Sequence, residues 1–538
     1  MRLMSPTRIR RLVAGAAAVT LGVDLAAVAL ASQSGQRVAP PPAVSLDHHG
    51  QALIGGVGDW QDIRNAQDRI AARAESRDPS GRRGAGGRVV VHHAGGRRIR
   101  QGSAYALLHR TGTLGVEPTL GVLGDGSVFV QGVTRDPALR SVVLRTRDGG
   151  RTFTDVSPKV GGRYVHASTQ DPYLYAEPRT GRVFTNDFVG CGLTSRSDDG
   201  GASWTTFPPL CSHLTDHQNL FGGPPVTSRP TGYPHVLYYC AVTLPALNTG
   251  TSAGCDKSVD GGTTFVPTGS LAFTPRLQYN DEGKLNTYCT GLIGHGTVGP
   301  DGTVYVPKTC SEPLLLVSRD EGLTWQTIAI PTKVGVNTDR YGRPDHESAV
   351  GVDAKGIVYY TWIGRDRLPY LVTSRDGGRT WSRPLMVGAP GVNETNIPAL
   401  AVSPGGRVAI SYMGSKTSPG APFPNDSTCE LFTGDTSCRS TTSDYLDTTW
   451  NGYITVTDDP LRARPTFTSV SINDEADPLT IGECGPFRCQ QQYDFDDVQL
   501  GPDGTPWAVF SDGCDVDLFC ESLGEAVVGR IAGLPRHR

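Results

Sequence analysis

Several things are scarce in this 538-residue sequence, and each scarcity removes a class of protein. Long amphipathic helical patterns are almost absent, which leaves little for an all-helical fold. Beyond residue 31 no apolar run is long enough to span a membrane. Positive charge is not in excess: the formal net charge is −3, so no nucleic-acid footprint emerges from the total. No second cysteine or histidine pair stands at zinc spacing beside Cys484 and Cys489, so the twelve cysteines point to disulfides rather than metal thiolates. Aromatic residues make up only 7%, against 67 Gly and 39 Pro, a balance that suits many short strands joined by turns.

What is present begins with an export signal. Met1 to Ala31 has a basic start (Arg2, Arg8, Arg10, Arg11), an apolar run from Leu12 to Leu30 and a small-residue exit. Arg10-Arg11 permits a twin-arginine route, but Asp24 interrupts the apolar run and the ordinary secretory route fits better. Cleavage removes four arginines and one aspartate, taking the formal charge from −3 to −6. A secreted or surface-associated protein is expected, and a monomer. Arg outnumbers Lys 43 to 7, a bias associated with GC-rich bacterial genomes. Ser32 to Gly58 reads as a Pro- and Gly-rich leader and Asp59 to Ser76 as a short helix. Asp78 to Gln101, rich in Arg and Gly, reads as a solvated linker, with a polyanion-binding arm as the sharper alternative. The expected divisions are a signal peptide (1–31), this leader and linker (32–102) and a main domain (103–538).

An eight-residue pattern organises the main domain. Ser374-Arg375-Asp376-Gly377-Gly378-Arg379-Thr380-Trp381 recurs at Thr146 to Phe153, Ser197 to Trp204, Ser258 to Phe265 and Ser318 to Trp325. The central aspartates are Asp148, Asp199, Asp260, Asp320 and Asp376, spaced by 51, 61, 60 and 56 residues. A hydroxyl and a carboxylate can each bond the turn backbone, Gly supplies positive φ, and the closing aromatic begins a strand. The pattern resembles the Asp-box, or BNR repeat, of sialidases and related β-propeller proteins. That resemblance implies an all-β fold of four-stranded blades. It also implies that these aspartates are structural turns on the face away from any active site.

A second repeat interleaves with the first: polar residue, strand, Gly/Asp turn, strand. Seven copies start at Glu117, Asp171, His217, Thr290, His346, Asn396 and Asp494. Each unit is blade-sized. Seven blades are expected, with six as the alternative because the sixth unit has only a decayed clasp at Asp458-Asp459-Pro460. The seventh is one strand short, so Arg88 to His93 or Ala104 to His109 should close the ring. Cysteines equidistant from hairpin turns give the pairs Cys191 with Cys211, Cys240 with Cys255 and Cys289 with Cys310. Cys429 with Cys438, Cys484 with Cys489, and Cys514 with Cys520 are short loop closures.

The inner-strand starts should ring the channel mouth: Glu117, Asp171, His217, His346, Glu347, Asn396, Asp494 and Asp496. The loops on that face add Arg340, Tyr341, Arg343, Arg365 and the long stretch Ser411 to Asn451. Such a meeting of acidic, cationic and aromatic groups suits a glycan. Glu347 and Asp171 are the expected catalytic carboxylates and Tyr341 the phenol. Glu117, His217, Arg340, Arg343, His346, Arg365, Asn396 and Asp496 are the expected ligand contacts. Solvation of a wet channel is the bland alternative. No cofactor or metal is called for, although crowded carboxylates leave a structural calcium open. The Arg-Ile-Pro motif that opens sialidase domains is missing, which puts sialidase activity third. A glycan-binding or glycan-hydrolysing secreted propeller comes first, and a non-catalytic propeller for a surface protein partner second.

Overall fold

The computed structural model describes residues 87–133, 140–165, 169, 171–188, 191–211, 215–243, 252–274, 289, 291–337, 347–418, 448–481, 496–514 and 520–535. All of them lie in the compact unit Trp60–Arg538. Strands and turns alone make up the regular structure among these residues. The expected helix at 59–76 and the cysteines at 429, 438, 484 and 489 lie outside them.

Among the described residues antiparallel ladders sort most strands into four four-stranded sheets and two seven-stranded ones, and the two larger sheets divide into three further four-stranded units. Blade 2 runs Pro172–Ala176, Val183–Phe188, Gly192–Ser197, Thr205–Thr206, from the inner strand outward. Blade 3 is Thr215–Gly223, Val236–Thr243, Ser252–Ser258, Val266–Pro267, and blade 4 is Thr297–Val298, Val304–Thr309, Pro313–Ser318, Gln326–Ala329. Blade 5 is Ala349–Val352, Val358–Ile363, Pro369–Ser374, Leu385–Met386. Blade 6 is Glu394–Val402, Val408–Ser415, Thr449–Thr457, Thr466–Ser471, a full sheet despite its decayed clasp.

Blades 1 and 7 share one long strand, Tyr105–Val122. Its first half pairs outside Cys520–Ala532, completing blade 7 (Asp497–Leu500, Pro506–Cys514). Its second half is the inner strand of blade 1, ahead of Val128–Val133, Ser141–Thr146 and Thr154–Asp155. The expected closure by the stretch around Ala104 to His109 is therefore present. Inner strands pack on inner strands in succession, and blade 7 returns to blade 1, so the sheets form a closed propeller ring. Arg110 locks the closure: Nη2 lies 2.6 Å from Asp512 Oδ2 and Nη1 2.9 Å from Glu525 Oε2, all nearly buried. Burial pushes the Asp512 carboxyl up to about 6, with Arg110 pulling against it.

Apolar residues on facing sheets fill the gaps between blades. Trp450 and Ile454 of blade 6 pack with Phe510 and Val527 of blade 7, and Phe221 and Tyr238 of blade 3 with Val306 and Leu316 of blade 4. Three expected disulfides are formed, Cys191–Cys211, Cys240–Cys255 and Cys289–Cys310, with Cα separations of 4.7, 4.1 and 4.1 Å. Cys240 and Cys255 are direct register partners, as hairpin symmetry requires, and so are the backbones of Cys514 and Cys520.

The linker expected from composition becomes, from Val90 onward, a hairpin. Val90–His93 and Arg97–Gln101 pair with each other and extend blade 6 outward past Thr466–Ser471. His92 drives this docking: it is fully buried, its Nε2 lies 2.7 Å from Ser469 Oγ, and its ring stacks on Phe467 at 5.6 Å. Composition missed it because the hairpin's partner strand lies almost 400 residues away.

The five clasps share one hydrogen-bond plan. In the Asp376 copy, Ser374 Oγ donates to Asp376 Oδ1 at 2.8 Å and accepts from Gly378 N at 2.8 Å. Thr380 N and Oγ1 then donate to the two carboxylate oxygens at 2.8 and 2.6 Å. Neighbouring clasps are latched as well: Arg196 donates to the Gly261 carbonyl at 2.6 Å and Arg319 to that of Gly377 at 3.1 Å.

Candidate functional site

The opposite ends of the inner strands carry the unusual backbone. Blades 1, 3 and 6 each enter the ring through a register shift, and each holds a non-glycine residue at positive φ: Glu117 (46°), His217 (54°) and Ile397 (49°). Such conformations cost on the order of 1–3 kcal/mol each and re-aim the side chains beside them. Pro118 and Pro398 follow two of the three, where an unpaired bulge position has no use for an N–H.

Two acid–imidazole pairs cross this mouth. His217 Nε2 of blade 3 stands 3.6 Å from Glu347 Oε1 at the entry of blade 5, with Nδ1 3.3 Å from the Ile293 carbonyl. His295 Nδ1, at the entry of blade 4, stands 3.6 Å from Asp497 Oδ1 on blade 7, the far side of the ring. The Tyr173 ring of blade 2 meets His295 edge-on at 5.2 Å, and Asp497 Oδ2 accepts from Leu120 N of blade 1 at 3.1 Å. Side chains from blades 2, 4 and 7 and a backbone amide of blade 1 thus meet in one place.

Three groups have acidities set by this setting. Asp496 is 4% exposed and its Oδ2 has no hydrogen-bond partner; burial first, then the charge of Asp497, pushes its carboxyl well up, favouring the protonated acid. Burial also raises the Tyr173 phenol well above its usual range, with Asp497 adding to it. Lys308, fully buried on the second strand of blade 4, donates to the Gly291 carbonyl. Burial brings its ammonium down to about 7, the charge of Glu347 opposing.

Polar side chains tie the entries together. Gln218 Nε2 donates to the Asp171 carbonyl at 2.7 Å, and Gly296 N to Asn219 Oδ1 at 3.2 Å. Gln131 Nε2 bridges Ser141 Oγ and Asp187 Oδ1 at 2.7 and 2.9 Å, joining blades 1 and 2. Arg367, at φ 64°, pairs with the buried Glu394, which also accepts from Ser418 Oγ.

Of the residues expected at the mouth, Glu117, Asp171, His217, Glu347, Asn396 and Asp496 stand at inner-strand entries, all buried except the half-buried Asp171. Arg340, Tyr341, Arg343, His346 and Asp494 lie outside the described residues, as does most of the Ser411 to Asn451 stretch. Arg365 is exposed in the turn between the second and third strands of blade 5. Sequence reasoning passed over His295, Asp497, Lys308 and Tyr173. The signals were faint: Gly294-His295-Gly296 before a strand, and the second of two adjacent aspartates. Among the described residues no group of three or more His, Cys, Asp and Glu has a metal-holding arrangement.

No protein-family model and no curated protein matches the chain. Solved structures do align. An α-L-arabinanase of Penicillium chrysogenum complexed with arabinobiose is 12% identical over 61% of this chain and 93% of its own, with a TM-score of 0.38. The Aleuria aurantia lectin bound to a fucosyl sugar is 9% identical over 57% and 92%, at 0.36. An intramolecular trans-sialidase of Ruminococcus gnavus is 14% identical over 76% and 93%, at 0.31. The architecture rests on the ladders and the closed ring of inner strands rather than on these scores.

Proposed function

We propose that this chain is a secreted β-propeller that acts on extracellular glycans at the mouth of its ring. One observation carries the reading: buried carboxyl and imidazole groups from non-adjacent blades converge there, and one of them, His217, sits on backbone held in a costly conformation. Glycoside hydrolysis needs one carboxyl that keeps its proton for the leaving oxygen and one that stays charged. Asp496 suits the first role; Glu347, paired with His217, suits the second, and Asp171, at the next entry but two, is a further acid in the ring of entries. The three disulfides and the leading apolar segment agree with export to an oxidising compartment.

A panel of fluorogenic glycosides together with a glycan array tests this. The expected result is turnover or binding by the intact chain that Glu347→Gln and Asp496→Asn abolish without lowering the melting temperature. Silence of the intact chain in both assays overturns the glycan reading and leaves an assembly or surface-protein partner.

A further inference from the structure

A second site stands away from the mouth, on the outer rim of blade 6, and its argument is independent of the glycan reading at the mouth. The hairpin Val90–His93/Arg97–Gln101 forms the edge of that sheet, and every residue from Arg97 to Gln101 is exposed. From Gly87 to Gln101 the chain has four arginines (Arg88, Arg97, Arg98, Arg100) and no carboxylate, in a protein whose total charge is negative. Other segments add to the same rim. Arg462 and Arg464 lie exposed just before Thr466–Ser471, the strand on which the hairpin docks, and His93 Nδ1 lies 3.3 Å from the carbonyl of Pro465, the residue after Arg464. Arg383 joins them from blade 5, donating to the Ala463 carbonyl at 3.1 Å. Among the described residues the only ion pair in this whole set is Arg462 with Asp459, at 3.2 Å between exposed side chains.

The geometry says what such a rim can hold. The hairpin is anchored by buried His92, and its tip by Gly95 N donating to the Met386 carbonyl at 2.9 Å, so the arginines project from a fixed platform. Register pairs His92 with Arg98 and Val91 with Arg100, which makes Ile99 the extra residue of a bulge and spoils the edge for adding another strand. Contact must come through side chains. Guanidinium forks bind carboxylates and sulfates two bonds at a time. The hairpin has no Phe, Tyr or Trp on which a nucleic-acid base would stack, and its His92 ring is already buried against Phe467. We propose that this rim docks a polyanionic polysaccharide, through carboxylate or sulfate groups spaced along an extended chain.

The probes are polygalacturonate and heparin, with dextran as the uncharged control and duplex DNA as the competing polyanion. The full chain should bind both acidic polysaccharides with an affinity that falls steeply as salt rises. The variant Arg97→Gln/Arg98→Gln/Arg100→Gln should lose about tenfold or more of that affinity with its melting temperature unchanged, and flatten the salt dependence. Arg462→Gln with Arg464→Gln should weaken binding in the same way. Arg179→Gln, an exposed charge in the first turn of blade 2, should change nothing. A folded triple variant that binds like the unmodified chain, tighter binding to DNA than to either polysaccharide, or equal retention on dextran overturns the proposal.

Discussion

The two faces of this ring use the same side chains to opposite ends. On the clasp face each aspartate is surrounded by donors from its own turn. The Thr380 hydroxyl and amide hold the Asp376 carboxyl down at about 2, and the corresponding hydroxyls and amides do so for Asp148 and Asp199. At the mouth Asp496 is buried with one oxygen unbonded and a second carboxylate beside it, and its acidity moves the other way. Exposure does not account for the contrast alone, because Glu321, buried in the fourth clasp, is also held at about 2. What differs is the supply of donors. Glu321 Oε1 accepts the amides of Val226, Thr227 and Ser228 at 2.7, 2.8 and 2.9 Å, whereas Asp496 faces another acid. A carboxylate met by amides is architecture, and one denied them is available for proton chemistry.

Substitutions at the mouth should break this contrast most sharply. Glu347→Gln and Asp171→Asn are each expected to reduce glycan turnover or binding by about a hundredfold or more while leaving melting unchanged. Full activity in both, read in the glycoside and array assays, would move the site off the inner strands. The ring closure comes next: Arg110→Met strands two buried carboxylates and should cost about 3–5 kcal/mol in denaturant unfolding. A loss under 1 kcal/mol, measured with an unchanged m-value, would mean that the buried charges are not what holds the closing strand.

Glu321 sharpens the comparison within the clasp face. Four clasps have glycine at this position, and Glu321 adopts the same positive φ (57°) to put its carboxylate into the amide cluster. Glu321→Gly relieves that strain yet leaves three amides and Lys257 without their acceptor, so a net loss of about 1–3 kcal/mol is expected. Its acidity gives the sign with pH. The folded carboxyl titrates near 2, below its unfolded value, so its stabilisation is complete above about 4.5 and vanishes as pH falls toward 2. Asp512 runs oppositely: raised to about 6, it lowers stability as pH climbs from about 4 to about 6. Acid unfolding curves of E321G and D512N against the unmodified chain should show these two windows, and superimposable curves would refute both. The smallest effect belongs to Asp376→Ala, an exposed turn whose loss should lower melting by a few degrees and leave ligand affinity intact. Normal melting with abolished function would show that the turn is a site.

Legibility followed distance along the chain. The clasps could be read because their hydrogen bonds close within four residues, and the disulfides because Cys240 and Cys255 flank one hairpin. Glu117, His217, Glu347 and Asn396 were found by counting strand entries, since each blade repeats the same start. His295 and Asp497 were missed, because 202 residues separate them and only the closing of the ring sets them 3.6 Å apart. The sequence by itself determined the repeat, the turn chemistry and the sequential pairing, all of which local backbone geometry dictates. Only the tertiary structure decided which carboxyls lose their donors, where the arginine-rich hairpin docks and which side chains meet across the mouth. Burial and long-range approach belong to the closed ring and not to any segment of it.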